Sequence, residues 1–148
     1  MNDAFEVREL LPGETERCYE AMLELRPALG TRCEFVERVD RSLRPGGYRL
    51  LASFAHGAGA ASAAAGFRVG EALAWGRYVY VDDLSTVPSA RRQGHAHALI
   101  EWLLAEARRL GAGQLHLDSG VGAERFDAHR FYHAHGLSIT AHHFAATT

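Results

Sequence analysis

The chain has 148 residues, 47% of them apolar and 23% charged, with a formal charge of −2. That describes one globular domain, residues 1–148, with room for a proper core, and it excludes a disordered or fibrous chain. The near-balanced charge argues against a nucleic-acid binder with a broad basic face. No apolar run approaches the roughly 18–20 residues of a membrane span, and MNDAFEVREL is not a signal-peptide pattern. The only cysteines, Cys18 and Cys33, cannot make a disulfide framework and suit a reducing cytoplasm as small core residues. All sixteen basic residues are arginine, which excludes a Walker A lysine, a Schiff-base lysine and a lysine general base.

FEVREL (5–10) alternates apolar and polar residues as a half-buried strand does, and Pro12-Gly13 ends it. Cys18, Ala21, Met22 and Leu25 share one face of a helix that stops before Pro27. Thr31 and Glu34 fit a capping box opening a second helix, with Phe35, Val36, Val39 and Leu43 inward and RPGG (44–47) as its stop. YRLLASFA (48–55) and ASAAAGFRV (61–69) read as two strands joined by HGAG, although SAAA favours helix. RYVYVDDLSTV (77–87) is a long aromatic and β-branched strand. VPSARRQG leads from it into a helix to about Leu110, with Ala96, Leu99, Ile100, Leu103, Leu104, Ala107 and Leu110 inward. QLHLD (114–118) is a further strand, the loop SGVGA follows, and a helix from about Glu124 to His135 ends at Gly136. LSITAHHFA (137–145) completes the sheet with one more strand or a bent hairpin. The order is that of an α/β fold with a mixed sheet.

The chemistry concentrates at RRQGHA (91–96) and His97. A helix N-terminus exposes unpaired N–H groups and the positive end of the macrodipole, so it attracts anions. Gly94 and Ala96 permit close approach to the backbone, and Arg91 and Arg92 add positive charge. This suits a pyrophosphate and would repel a metal ion.

Arg91-x-x-Gly94-x-Ala96, placed between a strand and a helix, resembles the acetyl-CoA pyrophosphate loop of the GNAT-type N-acetyltransferases. AHRFYHAHGL (128–137) is similar to the A-x-x-F-Y-x-x-x-G-F segment near the end of that fold, and the element order agrees over nearly the whole chain. The resemblance implies the GNAT acyl-CoA N-acyltransferase fold, a mixed, mostly antiparallel central sheet flanked by helices. It also implies acetyl transfer from acetyl-CoA, as co-substrate, directly to a primary amine, with no metal. The pantetheine arm would pair with the main chain of Ser85, Thr86 and Val87. The amides of Arg92, Gln93, Gly94, His95, Ala96 and His97 would wrap the pyrophosphate, the two histidines lending mainly backbone. Tyr132 would protonate the departing thiolate, and a backbone N–H near Leu84, where the strands split, could polarise the thioester carbonyl. The general base is open among Asp118, Asp83, Asp82 and His116; strand alternation puts Asp82 and Asp83 on opposite faces.

Three departures from the family pattern stand out: Arg125 replaces the usual pantetheine-binding asparagine, SGVGA is longer than usual, and the last aromatic of the second motif is Leu137. Two rival readings remain beside catalysis. One is a non-catalytic acyl-CoA-binding or sensor domain on the same fold. The other is a metal enzyme using His129 and His133 with His95, His97, His142 and His143, although the HExxH glutamate is missing. The partner expected is a small-molecule or peptide amine, with neither nucleic acid nor membrane, and a homodimer is open. Glu14, Glu16, Glu20, Glu24, Glu34, Glu37 and Asp40 would suit a cationic acceptor, or form a solvated helix face.

Overall fold

The computed structural model describes residues 5–148, so Met1–Ala4, the start of the segment read for a leader signal, lies outside them. Two compact units make up the chain, one running to His116 and one from Leu117 to Thr148. The first carries strands β1 (Phe5–Leu10), β2 (Arg49–Ala55), β3 (Ala63–Ala72), β4 (Gly76–Thr86) and β5 (Gln114–Leu117, whose last residue opens the second unit), and helices α1 (Tyr19–Leu25), α2 (Arg32–Glu37) and α3 (His95–Arg109). The second carries α4 (Phe126–Ala134).

The five strands lie in the order β1-β2-β3-β4-β5. β1 to β4 form an antiparallel meander with Val7 opposite Ser53, Leu51 opposite Ala65 and Val79 opposite Val69. β5 returns over the α3 crossover and starts beside the start of β4, where the Gly113 amide donates to the Arg77 carbonyl at 3.1 Å. That pair therefore runs parallel, and the sheet is mixed.

One sheet face is covered by α1 and α2, and Tyr48, Leu50, Ala52, Phe54 and Ala64 pack there against Cys18, Ala21, Met22, Phe35 and Val39. The capping box forms as expected: Thr31 Oγ1 accepts from the Glu34 amide at 3.2 Å, and the Thr31 amide donates to Glu34 Oε2 at 2.6 Å. Beyond Glu37 the helix widens into a π-helical turn, Arg38–Leu43. The other face takes α3, whose Leu99, Ile100 and Leu103 are fully buried, each side chain contributing about 1.5–3 kcal/mol. The segment SAAA lies in or just before β3 despite its helical propensity. Ala63, Ala64 and Ala65 are buried on both faces, and such small side chains let helices approach the sheet from each side.

α3 is also tied down by charge. Arg49 bonds Glu9 at 2.6 and 2.9 Å and Glu106 at 2.9 Å, and Arg109 bonds Glu106 at 2.7 Å. Hydrogen bonding from Arg109, and then from Arg49, holds the buried Glu106 carboxyl down to about 2 against its desolvation.

In the second unit α4 ends in a Schellman motif. Gly136 has φ +83°, Leu137 N–H reaches the Tyr132 carbonyl at 3.0 Å, and Gly136 N–H reaches that of His133 at 3.1 Å. The strand expected over 137–145 is not formed; residues 137–148 are irregular, with Ile139 77% and Phe144 91% exposed. Period-2 alternation supplies a face but not a partner, and a strand exists only where another edge pairs with it.

Two consequences can be measured. A Cβ at Gly66 would stand 1.7 Å from the Tyr48 hydroxyl oxygen, whereas one at Gly59 meets nothing within 4 Å. Gly66→Ala should therefore lose about 1–3 kcal/mol in urea unfolding while Gly59→Ala stays within about 0.5 kcal/mol. Because the folded pKa of Glu106 lies below its unfolded value, its contribution is present at neutral pH and fades as pH falls from about 4.5 towards 2. Glu106→Gln should be less stable than wild type at pH 7, with the gap closing below about pH 3; a gap constant with pH would contradict this.

Candidate acyl-CoA site

The end of β4 is shaped by a bulge. Gly66 faces Asp83 but the next residue, Phe67, faces Val81, which leaves Asp82 unpaired. The sequence expectation that Asp82 and Asp83 take opposite faces is thereby corrected. Asp82 Oδ2 accepts from Arg68 Nε at 2.7 Å, Arg68 lies over the Tyr48 ring, and Tyr48 donates to Asp83 Oδ2 at 2.9 Å. Both carboxylates join one cluster because the extra residue breaks the alternation. Arg26 closes it, donating to Asp83 Oδ1 at 3.0 and 3.1 Å and to the Asp82 carbonyl at 3.2 Å. Burial, reinforced by the Asp83 charge, pushes the Tyr48 hydroxyl far up, so it stays a neutral donor.

Past the bulge the pairing is regular: Ala65 opposes Leu84, Ala64 opposes Ser85 and Ala63 opposes Thr86. The Val87 amide donates to the Ser62 carbonyl at 2.9 Å, which makes Val87 and Ser85 the residues whose main chain faces β3. Leu84 and Thr86 then present theirs on the other side. β5 has four residues against eleven in β4, so this end of β4 outruns its parallel partner.

The chain next makes a 3-10 turn, Pro88–Ala90, and enters the loop. Arg92 takes φ +62°, the only positive φ outside glycine among the described residues, and Gly94 takes φ +98° as the N-cap of α3. A non-glycine residue held there costs on the order of 1–3 kcal/mol and marks a constrained turn. Its φ is what calls for glycine at Gly94, and a Cβ there would also press on the Phe5 ring at 3.3 Å. The first intrahelical bond runs from the Ala98 amide to the Gly94 carbonyl at 3.0 Å, so the His95 and Ala96 amides lie ahead of it, and no side chain caps the turn. Successive amides in such a turn form an anion-binding concavity. Gln93 braces it by donating to the Ser89 carbonyl at 3.1 Å. Arg91 pairs with Glu24 of α1 at 2.8 Å, while Arg92 is exposed with no partner among the described residues.

His95 does more than lend its backbone. Its ring is 1% exposed, lies 4.0 Å from Phe5, and bonds Ser53 Oγ through Nδ1 at 2.8 Å. Nε2 is buried without a partner among the described residues, and burial holds the imidazole pKa down. The signal was available in the sequence: His95 precedes Leu99 and Leu103 at successive intervals of four, on the inward stripe of α3.

The other candidates are carried by other elements. His116 stacks on Trp75 at 3.7 Å and shares a 2.7 Å hydrogen bond with Gln114. In the second unit, exposed Asp118 meets His143 Nδ1 at 3.4 Å. Tyr132 is half-buried on α4; burial raises its pKa, and the charge and hydrogen bonding of Arg125 pull it down. His129 contacts Ser119 Oγ at 3.1 Å and the Gly120 carbonyl at 2.7 Å. Among the described residues, no three histidines, cysteines or carboxylates gather as metal ligands would. The early acidic run is mostly engaged at home: Glu14 with Arg8, Glu20 with Arg32, Glu24 with Arg91, Glu37 with Arg41, Asp40 with Arg44, and Glu34 in its cap. No helix among the described residues is long and apolar enough to cross a membrane.

Comparison with known proteins bears on the fold and the family. An uncharacterized N-acetyltransferase, YhdJ of Bacillus subtilis (strain 168), is 31% identical over 119 residues, 80% of each chain. The crystal structure of a Trypanosoma brucei acetyltransferase superposes with a TM-score of 0.78 at 20% identity, covering 97% of this chain and 99% of its own. The aminoglycoside N-acetyltransferase AAC(6')-Iy, solved in complex with CoA, gives 0.78 at 15% identity over 97% of this chain and 94% of its own. The sequence profile of the acetyltransferase (GNAT) family matches residues 15–137, and the chain belongs to that family.

Proposed function

We propose that this protein is an N-acetyltransferase that moves the acetyl group of acetyl-CoA directly to a primary amine. The observation that carries the reading is the left-handed turn at Arg92 and Gly94 opening α3. The turn has no side-chain cap and carries the exposed Arg92, which has no partner among the described residues, a fit for a pyrophosphate. In this reading the amides from Arg92 to His97 and the Arg91 and Arg92 side chains hold the diphosphate. The main chain of Ser85, Thr86 and Val87 takes the pantetheine arm, chiefly through Thr86, whose polar groups face away from β3. The Leu84 amide, on that same side, polarises the thioester carbonyl.

Tyr132 gives its phenolic proton to the departing thiolate. The acceptor must shed a proton to attack, and Asp118, an exposed carboxylate in contact with His143, is the assigned base, directly or through water. Asp83 serves the bulge instead, since both its oxygens are engaged by Arg26 and Tyr48. The acceptor is a small-molecule or peptide amine. The free thiols Cys18 and Cys33 support a reducing, cytoplasmic setting, since a disulfide-forming compartment offers these cysteines no role.

Calorimetry tests the loop: acetyl-CoA affinity should fall roughly 10-fold or more in Arg92→Glu, by repulsion, and be lost in Gly94→Trp, by blockage. Affinity unchanged by both would remove the assignment. Thiol release with a panel of amines tests the chemistry: Tyr132→Phe should lower kcat by about 10²-fold with acetyl-CoA KM nearly unchanged. Tight CoA binding with no turnover of any amine would instead indicate a sensor domain.

A further inference from the structure

The His95 side chain is a buried polar group to which the acetyl-transfer reading assigns no role. It stands on the first residue of α3, directly after the left-handed Gly94. Phe5 lies against the ring at 4.0 Å, and its Cε2 would stand 3.3 Å from a Cβ at Gly94. Phe5 thus abuts the ring and the turn together. Nδ1 ties the ring to β2 through the 2.8 Å bond with the fully buried Ser53. Leu99 and Leu103 fill the next two places on the same buried stripe, so a leucine would serve there for packing alone. Histidine adds a proton site.

That site is set against being filled. A neutral imidazole has one N–H and one lone pair. With the N–H on Nδ1 donating to Ser53, Nε2 is left as a buried lone pair; the other tautomer would bury an N–H without an acceptor, the rarer arrangement in proteins. The core therefore favours the first. A second proton can go only to Nε2, where no described residue accepts from it. It would also put a positive charge in the core, at the positive end of the α3 macrodipole. Phe5 of β1 and Ser53 of β2 carry no charge to offset it, and burial is what lowers the ring's pKa. The ionisable neighbours on its own segment are Arg91, Arg92 and His97, none a source of negative charge.

We propose that the neutral His95 ring is a positioning residue for the acyl-CoA turn, and that the turn releases the coenzyme when a proton on Nε2 drives the ring out of the core. The proposal rests on the reading of that turn as the acyl-CoA site. In the closed turn burial keeps the ring neutral; in an opened turn it takes a proton near its ordinary value of 6.5. Opening is therefore independent of pH above about 6.5. Below that it becomes about tenfold easier for each pH unit, until the closed ring itself titrates. The coenzyme is held by the closed turn alone, so acid weakens its binding.

The test compares wild type with His95→Leu and His95→Gln from about pH 8 to about pH 5. The coenzyme phosphates and the other histidines titrate alike in all three, so the differences belong to His95. Hydrogen exchange of the Ala98 amide, which bonds the Gly94 carbonyl at 3.0 Å, reports opening without any ligand. In wild type its protection should fall about tenfold per pH unit below about 6.5, with exchange faster than at the mid-helix Leu103 amide. Neither variant should show this limb. Acetyl-CoA affinity by calorimetry should weaken by roughly 5-fold or more towards pH 5 in wild type, beyond any change in the variants. Should His95→Leu fail to fold, the Gln variant decides. Wild-type protection that follows the variants overturns the proposal, as does Ala98 exchanging only together with Leu103. So does an affinity that strengthens with acid in wild type alone, which would make the charged ring a contact of the diphosphate. Each of these leaves the acyl-CoA reading standing, whereas wild type that binds no acetyl-CoA near pH 8 overturns both.

Discussion

The extra residue in β4 is the constraint on which the rest of the proposed acyl-CoA site depends. At the bulge the Tyr48 ring covers Gly66, donates to Asp83 and is roofed by Arg68, while Arg26 of the chain just beyond α1 holds Asp83 and the Asp82 carbonyl. Tyr48 is the buried member of this otherwise half-exposed cluster, and its hydroxyl, left without Asp83, would be desolvated and unpaired. The cluster therefore fixes where β4 bends. From that bend the pairing of Ala63 to Ala65 with Leu84 to Thr86 follows, and with it the side to which the Leu84 and Thr86 amides point. The loop after Val87 starts from a place and direction that the cluster has set.

Two further devices carry that direction into the turn. Arg92 and Gly94 adopt left-handed conformations in close succession, and the His95 ring is driven into the core against Phe5 and Ser53. The buried ring anchors the first turn of α3 to β1 and β2, so the loop is built on the sheet rather than suspended from it. A phosphate-binding turn gains from such rigidity, since its amides need no reordering when an anion arrives.

Much of this was legible in the sequence because it depends on local pattern. The inward stripe of α3, the capping box at Thr31, the glycine stop at Gly136 and the glycine turn that opens α3 each repeat a short rule of spacing or conformation. What the sequence hid depends on partners far apart in the chain. The Asp82–Asp83 bulge arises from register against Gly66, and strand alternation alone assigned those carboxylates to the wrong faces. The place of His95 on the inward stripe of α3 is visible in the sequence, but its ring partners are not, since Phe5 and Ser53 lie ninety and forty-two residues away. The strand or bent hairpin expected over 137–145 failed because no edge among the described residues pairs with it. Arg125 stands out in the sequence only as a departure from a pattern, and its reach to Ser119 belongs to the fold of the loop before α4.

The central claim is that the turn at Arg92 to His97 and the end of β4 form one surface for an acyl-CoA. Amide chemical-shift mapping with acetyl-CoA tests it directly. The account predicts the largest shifts at Gly94, His95 and Ala96, together with Leu84 and Thr86, saturating at one ligand per chain. Shifts centred elsewhere, with the amides of Gly94 to Ala96 unmoved at saturation, would contradict it.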